Sequence, residues 1–348
     1  MGSAIAASLS TLLIVLSLFP VLNRLARRFR LLDLPDARKQ HVGSVPLTGG
    51  LAIYAGLLIT ALFVDDLAPE LIWLLASGGL LVLLGAADDR FNLGVSIRLF
   101  GQALATLIMI YGSGIALTQP LPIEGWAPLP ASLAAFLAVI AVVGLVNAFN
   151  MVDGIDGLAG SLAIVACLTL GIGQAVLGYF QATGYLLVFS AAVVGYLAVN
   201  LCIVSKRKVF LGDAGSLLIG FVIAWALLYT SQSSKPSLPQ SYVIWAVAFP
   251  VFDIVSVMVR RIRKGLSPFY ADRTHLHHIC LRAGLSHQQA LGVLVLFAMG
   301  LATIGLTLNV FTTPMISIAV FFVMMVLYVM GQLRIWKLLV WLRRAPQV

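Results

Sequence analysis

Charge is what this sequence has least of. Asp, Glu, Lys and Arg make up 10% of its 348 residues, against 61% hydrophobic, and the mean hydropathy is +1.03. So little charge cannot cover the surface of an ordinary soluble domain. Acids are the scarcer sign, 13 against 22 basic residues. Cysteine is nearly absent too: Cys167, Cys202 and Cys280 show no pairing or metal spacing, which excludes a disulfide scaffold and leaves them as small buried hydrophobes. No Lys or Arg precedes Arg24, so the first apolar run is expected to remain a membrane span rather than a cleaved signal peptide. No internal repeat, low-complexity stretch or soluble segment interrupts the chain, and residues 1–348 read as one integral membrane domain.

What is there is a series of apolar runs near the 20 residues a helix needs to cross a bilayer. Eleven are expected: 3–22, 47–64, 71–87, 95–112, 131–149, 157–175, 182–203, 214–230, 241–259, 289–308 and 314–333. The sixth and seventh carry no charge between them, and the turn that separates them is placed near 181–184. The fold class is therefore all-α and polytopic, with about eleven transmembrane helices. Twenty-one of the 22 Lys and Arg fall on alternate connections and the C-terminal tail, leaving only Lys235 on the other side. The positive-inside rule then puts the N-terminus on the external side and the C-terminus in the cytoplasm. The net charge of +9 is spread along one membrane face, so it points to lipid headgroups or an anionic substrate and not to nucleic acid.

The same count sorts the acids. Asp65, Asp66, Glu70 and Glu124 fall in short outer loops and read as solvated surface. The remaining informative acids share the basic, cytoplasmic side. The centre is NAFNMVDGIDGLAG, residues 147–160, which breaks an apolar run with no charge over 125–152. Asn147, Asn150 and Asp153 are three apart and would share a helix face as oxygen ligands or hydrogen-bonding groups, with Asp156 just beyond. A polar turn between two spans is the plainer alternative.

Asp88 and Asp89 end the third span, and adjacent carboxylates repel unless a cation or proton lies between them; pairing with Arg90 and Arg98 is the other reading. Asp213, between Gly212 and Gly215, opens the eighth span as a metal ligand or a helix cap. Phe210 can pack on lipid or stack on a base. Asp253 lies inside the ninth span and reads as a polar contact between helices. In the first cytoplasmic loop, Lys39 and His41 lead to Thr48–Gly49–Gly50, a turn whose free N–H groups would suit an anion. The HLHH cluster, His275, His277 and His278, lacks the Cys or acid partners of zinc sites. With Arg273 and Arg282 it reads as a cationic grip on phosphate. Carboxylate and amide oxygens suit Mg²⁺ or Mn²⁺. Together with cations at a membrane face they suit phosphoryl transfer between a lipid-borne and a soluble partner. A cation-coupled transporter would also carry acids in a helix bundle, though nearer the midplane.

DDR, NAFNMVDGIDG, VFLGDAGS and RTHLHH, in this order, resemble the motifs of the polyprenyl-phosphate N-acetylhexosamine-1-phosphate transferases of glycosyltransferase family 4. The WecA/TagO-type branch, which begins O-antigen, enterobacterial common antigen or teichoic acid linkage synthesis, is the nearest. The resemblance spans essentially the whole chain. It implies an eleven-span enzyme of the bacterial inner membrane with its site on the cytoplasmic face. It also implies attack of undecaprenyl phosphate on a UDP-N-acetylhexosamine, which releases UMP. GlcNAc is the expected sugar, with GalNAc, FucNAc or QuiNAc as alternatives. Asp213 resembles the principal Mg²⁺ ligand, and Asn150 an additional one. Asp88, with Asp89 beside it, resembles the acid that deprotonates or orients the lipid phosphate. Arg98 stands where relatives often carry a lysine. Phe210 matches an aromatic that stacks on uracil, Asp153 and Asp156 acids needed for activity, and the three histidines a pyrophosphate grip. Membrane lipids are expected partners, and a homodimer is left open. Fused after Arg344, a reporter should report cytoplasm, and one beside Lys235 the exterior; both on one side would overturn the orientation.

Overall fold

In hydrocarbon the backbone must satisfy its own hydrogen bonds, so apolar runs of this length fold as helices. The computed structural model describes residues 2–33, 43–64, 67–121, 127–176, 178, 182–232, 238–267 and 275–344. Among the described residues, ten helical stretches are long and apolar enough to cross a membrane. They are α1 (Gly2–Phe29), α3 (Pro69–Phe91), α4 (Val95–Ser113), α5 (Ala131–Val152), α6 (Leu158–Val176), α7 (Thr183–Asn200), α8 (Gly212–Gln232), the stretch Gln240–Arg263, α12 (His287–Phe311) and α13 (Pro314–Arg344). The stretch Gln240–Arg263 consists of α9 (Gln240–Val243), a 3-10 turn (Ile244–Val247) and α10 (Ala248–Arg263). Pro250 accounts for that break, because it has no N–H to bond back to Ala246. A seven-residue helix, α11 (Leu276–Arg282), carries the histidines.

The second expected span differs. There α2 (Gly49–Ala61) has 13 residues, too few to cross alone. It is accommodated because α1, α7 and α8 surround it. The chain before it is extended, with β1 (Leu32–Asp33) pairing antiparallel with β2 (Val45–Pro46) and Leu47 bridging to Phe210. That bridge also corrects the expectation of an anion-binding turn. The N–H of Gly49 donates to the Phe210 carbonyl at 2.9 Å and that of Gly50 to the Leu211 carbonyl at 3.0 Å, so neither amide is free.

At the centre lies α8, buried along most of its length against α2, α3, α5 and α6. Small residues permit this. A Cβ on Gly50 would strike the Gly215 backbone, one on Gly85 the Ala214 backbone, and one on Gly220 the Val146 Cα. Close crossings near its N-terminus bring the ends of α2 and α3 onto the start of α8. At the other end, where α2 stops short, α1, α2, α3, α7 and α8 line a half-open apolar cavity of about 320 Å³, with Tyr54, Leu57, Leu74, Phe189 and Trp225 in its wall.

Gly50→Ala should therefore destabilise the protein by about 1–3 kcal/mol, the usual cost of overpacking. Gly144→Ala, where nothing lies within 4 Å of the added Cβ, should be neutral. Thermal unfolding in detergent of the two variants checks this, and equal melting temperatures would contradict the crossing.

Candidate active site

Four helix ends meet at the start of α8. The last turn of α3 supplies Asp88 and Asp89. Asp89 accepts from the Asp213 N–H at 3.0 Å and the Ala214 N–H at 3.4 Å, so it caps α8 from outside that helix. Asp88 is buried; its Oδ1 accepts from the Leu93 N–H at 2.7 Å and its Oδ2 from an Arg98 Nη at 3.0 Å. The left-handed Asn92 (φ 52°) ends α3 by donating its N–H to the Asp88 carbonyl, which lets the chain reverse and return Arg98 on α4. The Asp88 and Asp213 carboxylates are close enough to influence each other electrostatically.

From α5, the amide Nδ2 of Asn150 donates to Asp213 Oδ1 at 2.7 Å and to the Ser216 hydroxyl at 2.9 Å. Asp153 follows the last residue of α5. Its carboxyl is pushed up to about 8 by burial first, then by the Asp213, Asp89 and Asp156 carboxylates around it. Asp156 pairs with Lys208 Nζ, which also lies 5.2 Å from the centroid of the Phe210 ring. Because 208–210 runs extended, residues two apart share a side, and Lys208 and Phe210 do. Asn147 is engaged elsewhere, its Nδ2 donating to Gln102 on α4 at 2.7 Å and to the Val143 carbonyl.

The histidines approach from the other side. His275 Nδ1 is 2.7 Å from Asp253 Oδ2. His277, 2% exposed, stacks on His275 and tilts onto His278. A Cβ on Gly154 would strike the His277 ring at Nε2, so the first glycine of the central motif is what lets α11 dock there. Arg282 ends α11 on the exposed side. Lys39, His41 and Arg273 lie outside the described residues.

Thus Asp88, Asp89, Asn150, Asp153, Asp156 and Asp213 converge, with Arg98, Lys208 and Phe210 at their edge. Lys208 was missed by sequence reasoning, although its place two residues before Phe210 in an extended segment was a usable signal. Asp253 was read only as a helix contact; an acid inside an apolar span calls for a nearby donor.

Among the described residues, no group of three or more His, Cys, Asp or Glu stands ready to hold a metal ion. Yet Asp213 lies in the field of Asp88 and further carboxylates, an arrangement that calls for a cation or a shared proton. Hard oxygen donors of this kind fit Mg²⁺, which is commonly bound through one or two carboxylates with water and phosphate completing its shell. Asp213 would hold it, and Asn150 would join by turning Oδ1 inward in place of Nδ2; both Asp88 oxygens are already engaged by the Leu93 N–H and Arg98.

A helical bundle with acids, cations and an aromatic gathered at its helix ends defines a polytopic membrane enzyme. The chain belongs to glycosyl transferase family 4, whose family profile matches residues 71–231, from α3 to α8. It is 38% identical over 349 residues to the undecaprenyl-phosphate alpha-N-acetylglucosaminyl 1-phosphate transferase of Escherichia coli O157:H7, covering 98% of this chain and 95% of that protein. The proteins of the same name from Yersinia pestis (36% identical, 97% and 95% covered) and Haemophilus influenzae (37%, 93% and 92%) are similar too. Family membership sets the transporter reading aside.

His277 supplies a pH test. Burial first, then His278 and His275, lower its imidazole from 6.5 to about 3. Between those values the unfolded chain binds a proton that the folded chain does not. The stability this neutral ring secures is complete above pH 6.5 and is lost as pH falls towards 3. Melting temperature should therefore drop more steeply from pH 7 to pH 5 in the wild type than in His277→Asn; equal slopes would show that the ring is not the group responsible.

Proposed function

We propose that this chain transfers N-acetylglucosamine 1-phosphate from UDP-N-acetylglucosamine to undecaprenyl phosphate, releasing UMP, at the cytoplasmic face of a bacterial inner membrane. The observation that carries this reading is the convergence of Asp88–Arg98, Asp213–Asn150 and Lys208–Phe210 at one set of helix ends. Likeness to transferases of that name over nearly the whole chain supports the sugar and the lipid. The 21-to-1 division of Lys and Arg supports the side.

The chemistry follows from the groups present. A lipid phosphate oxygen bonds to the sugar-linked phosphorus, the bridging P–O bond to the uridine phosphate breaks, and its electron pair leaves with UMP. Positioning and charge neutralisation provide most of such catalysis. Arg98 draws the anionic lipid phosphate to the site and Asp88 fixes the guanidinium and meets the acceptor. Phe210 offers a face to uracil, with Lys208 at hand for the phosphate beside it. The histidine segment grips the diphosphate. Mg²⁺, when bound, neutralises the diphosphate and the departing charge.

Detergent-solubilised protein offered a panel of UDP-N-acetylhexosamines with undecaprenyl phosphate should release UMP, fastest with the GlcNAc donor, and EDTA should abolish release. Asp213→Asn should lose activity by about 10²-fold or more and fail to bind donor with Mg²⁺. Asp88→Asn should be as inactive yet still bind donor. Normal turnover of Asp213→Asn, with EDTA still inhibitory, would move the ion to Asp88 and Asp89. No UMP from any donor would sink the reading.

A further inference from the structure

At seven residues α11 is too short to hold its own conformation, yet it begins beside the histidine that heads the cluster. What fixes it is Asp253, 1% exposed inside α10. Both carboxylate oxygens are used: Oδ2 meets His275 Nδ1 at 2.7 Å and Oδ1 accepts from the Leu276 N–H, the first amide of α11, at 3.1 Å. A third donor arrives from the far end of the sequence, since the Tyr328 hydroxyl on α13 donates to Asp253 Oδ1 at 2.9 Å. Gln332 Nε2 donates to the Tyr328 oxygen at 3.1 Å, and Arg260 Nη2 on α10 donates to Gln332 Oε1 at 3.2 Å. Arg260, Gln332, Tyr328, Asp253 and His275 thus form one chain of hydrogen bonds, buried at both ends and partly exposed at Tyr328.

A buried carboxylate with one partner removed is costly, which is why such an acid holds its donors in fixed geometry. The Asp253 contact occupies His275 Nδ1 and leaves Nε2 as the ring atom able to meet a substrate, as outer carboxylates do for functional histidines elsewhere. We propose that Asp253, braced by Tyr328 from α13, is a positioning residue that aims His275 at the diphosphate of the sugar donor. This rests on the reading that the histidine segment grips that diphosphate. The other titratable groups around the pair are His277, His278 and Cys280 from the α11 segment, Tyr328 from α13 and Arg260 from α10.

The test is a double-mutant cycle in the UMP-release assay. Asp253→Asn should lower kcat/KM for UDP-N-acetylglucosamine about tenfold or more, the usual effect of losing an outer partner, while KM for undecaprenyl phosphate stays unchanged. Tyr328→Phe should lower it less. Added to His275→Ala, neither should cost anything further, because each acts through that ring. Equal factors of loss with and without His275 would overturn the proposal and leave Asp253 a structural acid. If Asp253→Asn does not fold, the Tyr328→Phe and His275→Ala cycle decides by the same criterion. Wild-type protein that releases no UMP would instead sink the functional reading.

Discussion

The hydrogen bonds from the first amides of α8 to the Asp89 carboxylate are the contact on which the site depends. A helix start carries unsatisfied N–H groups and partial positive charge, and an acid from a neighbouring helix answers both. Here the acid comes from the last turn of α3, so one interaction fixes two helix ends together. Asp88, one residue earlier, is thereby held beside Asp213. The close crossing of Gly85 on Ala214 makes the approach sterically possible; without it the two acids would sit a side chain further apart.

The arrangement concentrates negative charge at one set of helix ends. Two of the five carboxylates are offset by single cations, Asp88 by Arg98 and Asp156 by Lys208. Asp89 is met by backbone amides and Asp213 by a neutral amide, neither of which carries a full charge. Asp153, just past the end of α5, bears the imbalance and holds its proton to near neutral pH. A set of carboxylates this unbalanced attracts a divalent ion or a bound proton. The histidines, with Asp253 behind them, stand across Gly154 from this group, so the carboxylate and imidazole sides of the site meet at one glycine.

Much of this was legible in the chain. Apolar runs gave the helices because nothing else satisfies the backbone in lipid, and acids interrupting such runs marked the helix ends that converge. The shortness of α2 was not legible, since residues 47–64 are apolar throughout and only the bridge between Leu47 and Phe210 shows the chain still extended there. Likewise the Gly49 and Gly50 amides looked free because their partners lie some 160 residues away. Asn147 looked like its neighbour Asn150, and periodicity could not tell that one faces Gln102 and the other Asp213. The role of Asp253 depended on a tyrosine 75 residues further on, which no local pattern announces.

The short α2 leaves the molecule unequal along the membrane normal. Its N-terminus is level with the start of α8, where glycine backbones touch. Its C-terminal half, from Tyr54 to Ala61, forms one wall of the apolar cavity around Leu57 and Trp225. Interiors packed without voids resist any change of volume, whereas those with space absorb it. Sequence drift should therefore be graded along the bundle: rigidly constrained at the end where the acids converge, and increasingly permissive towards the cavity, where the same scaffold can vary its side chains without disturbing them.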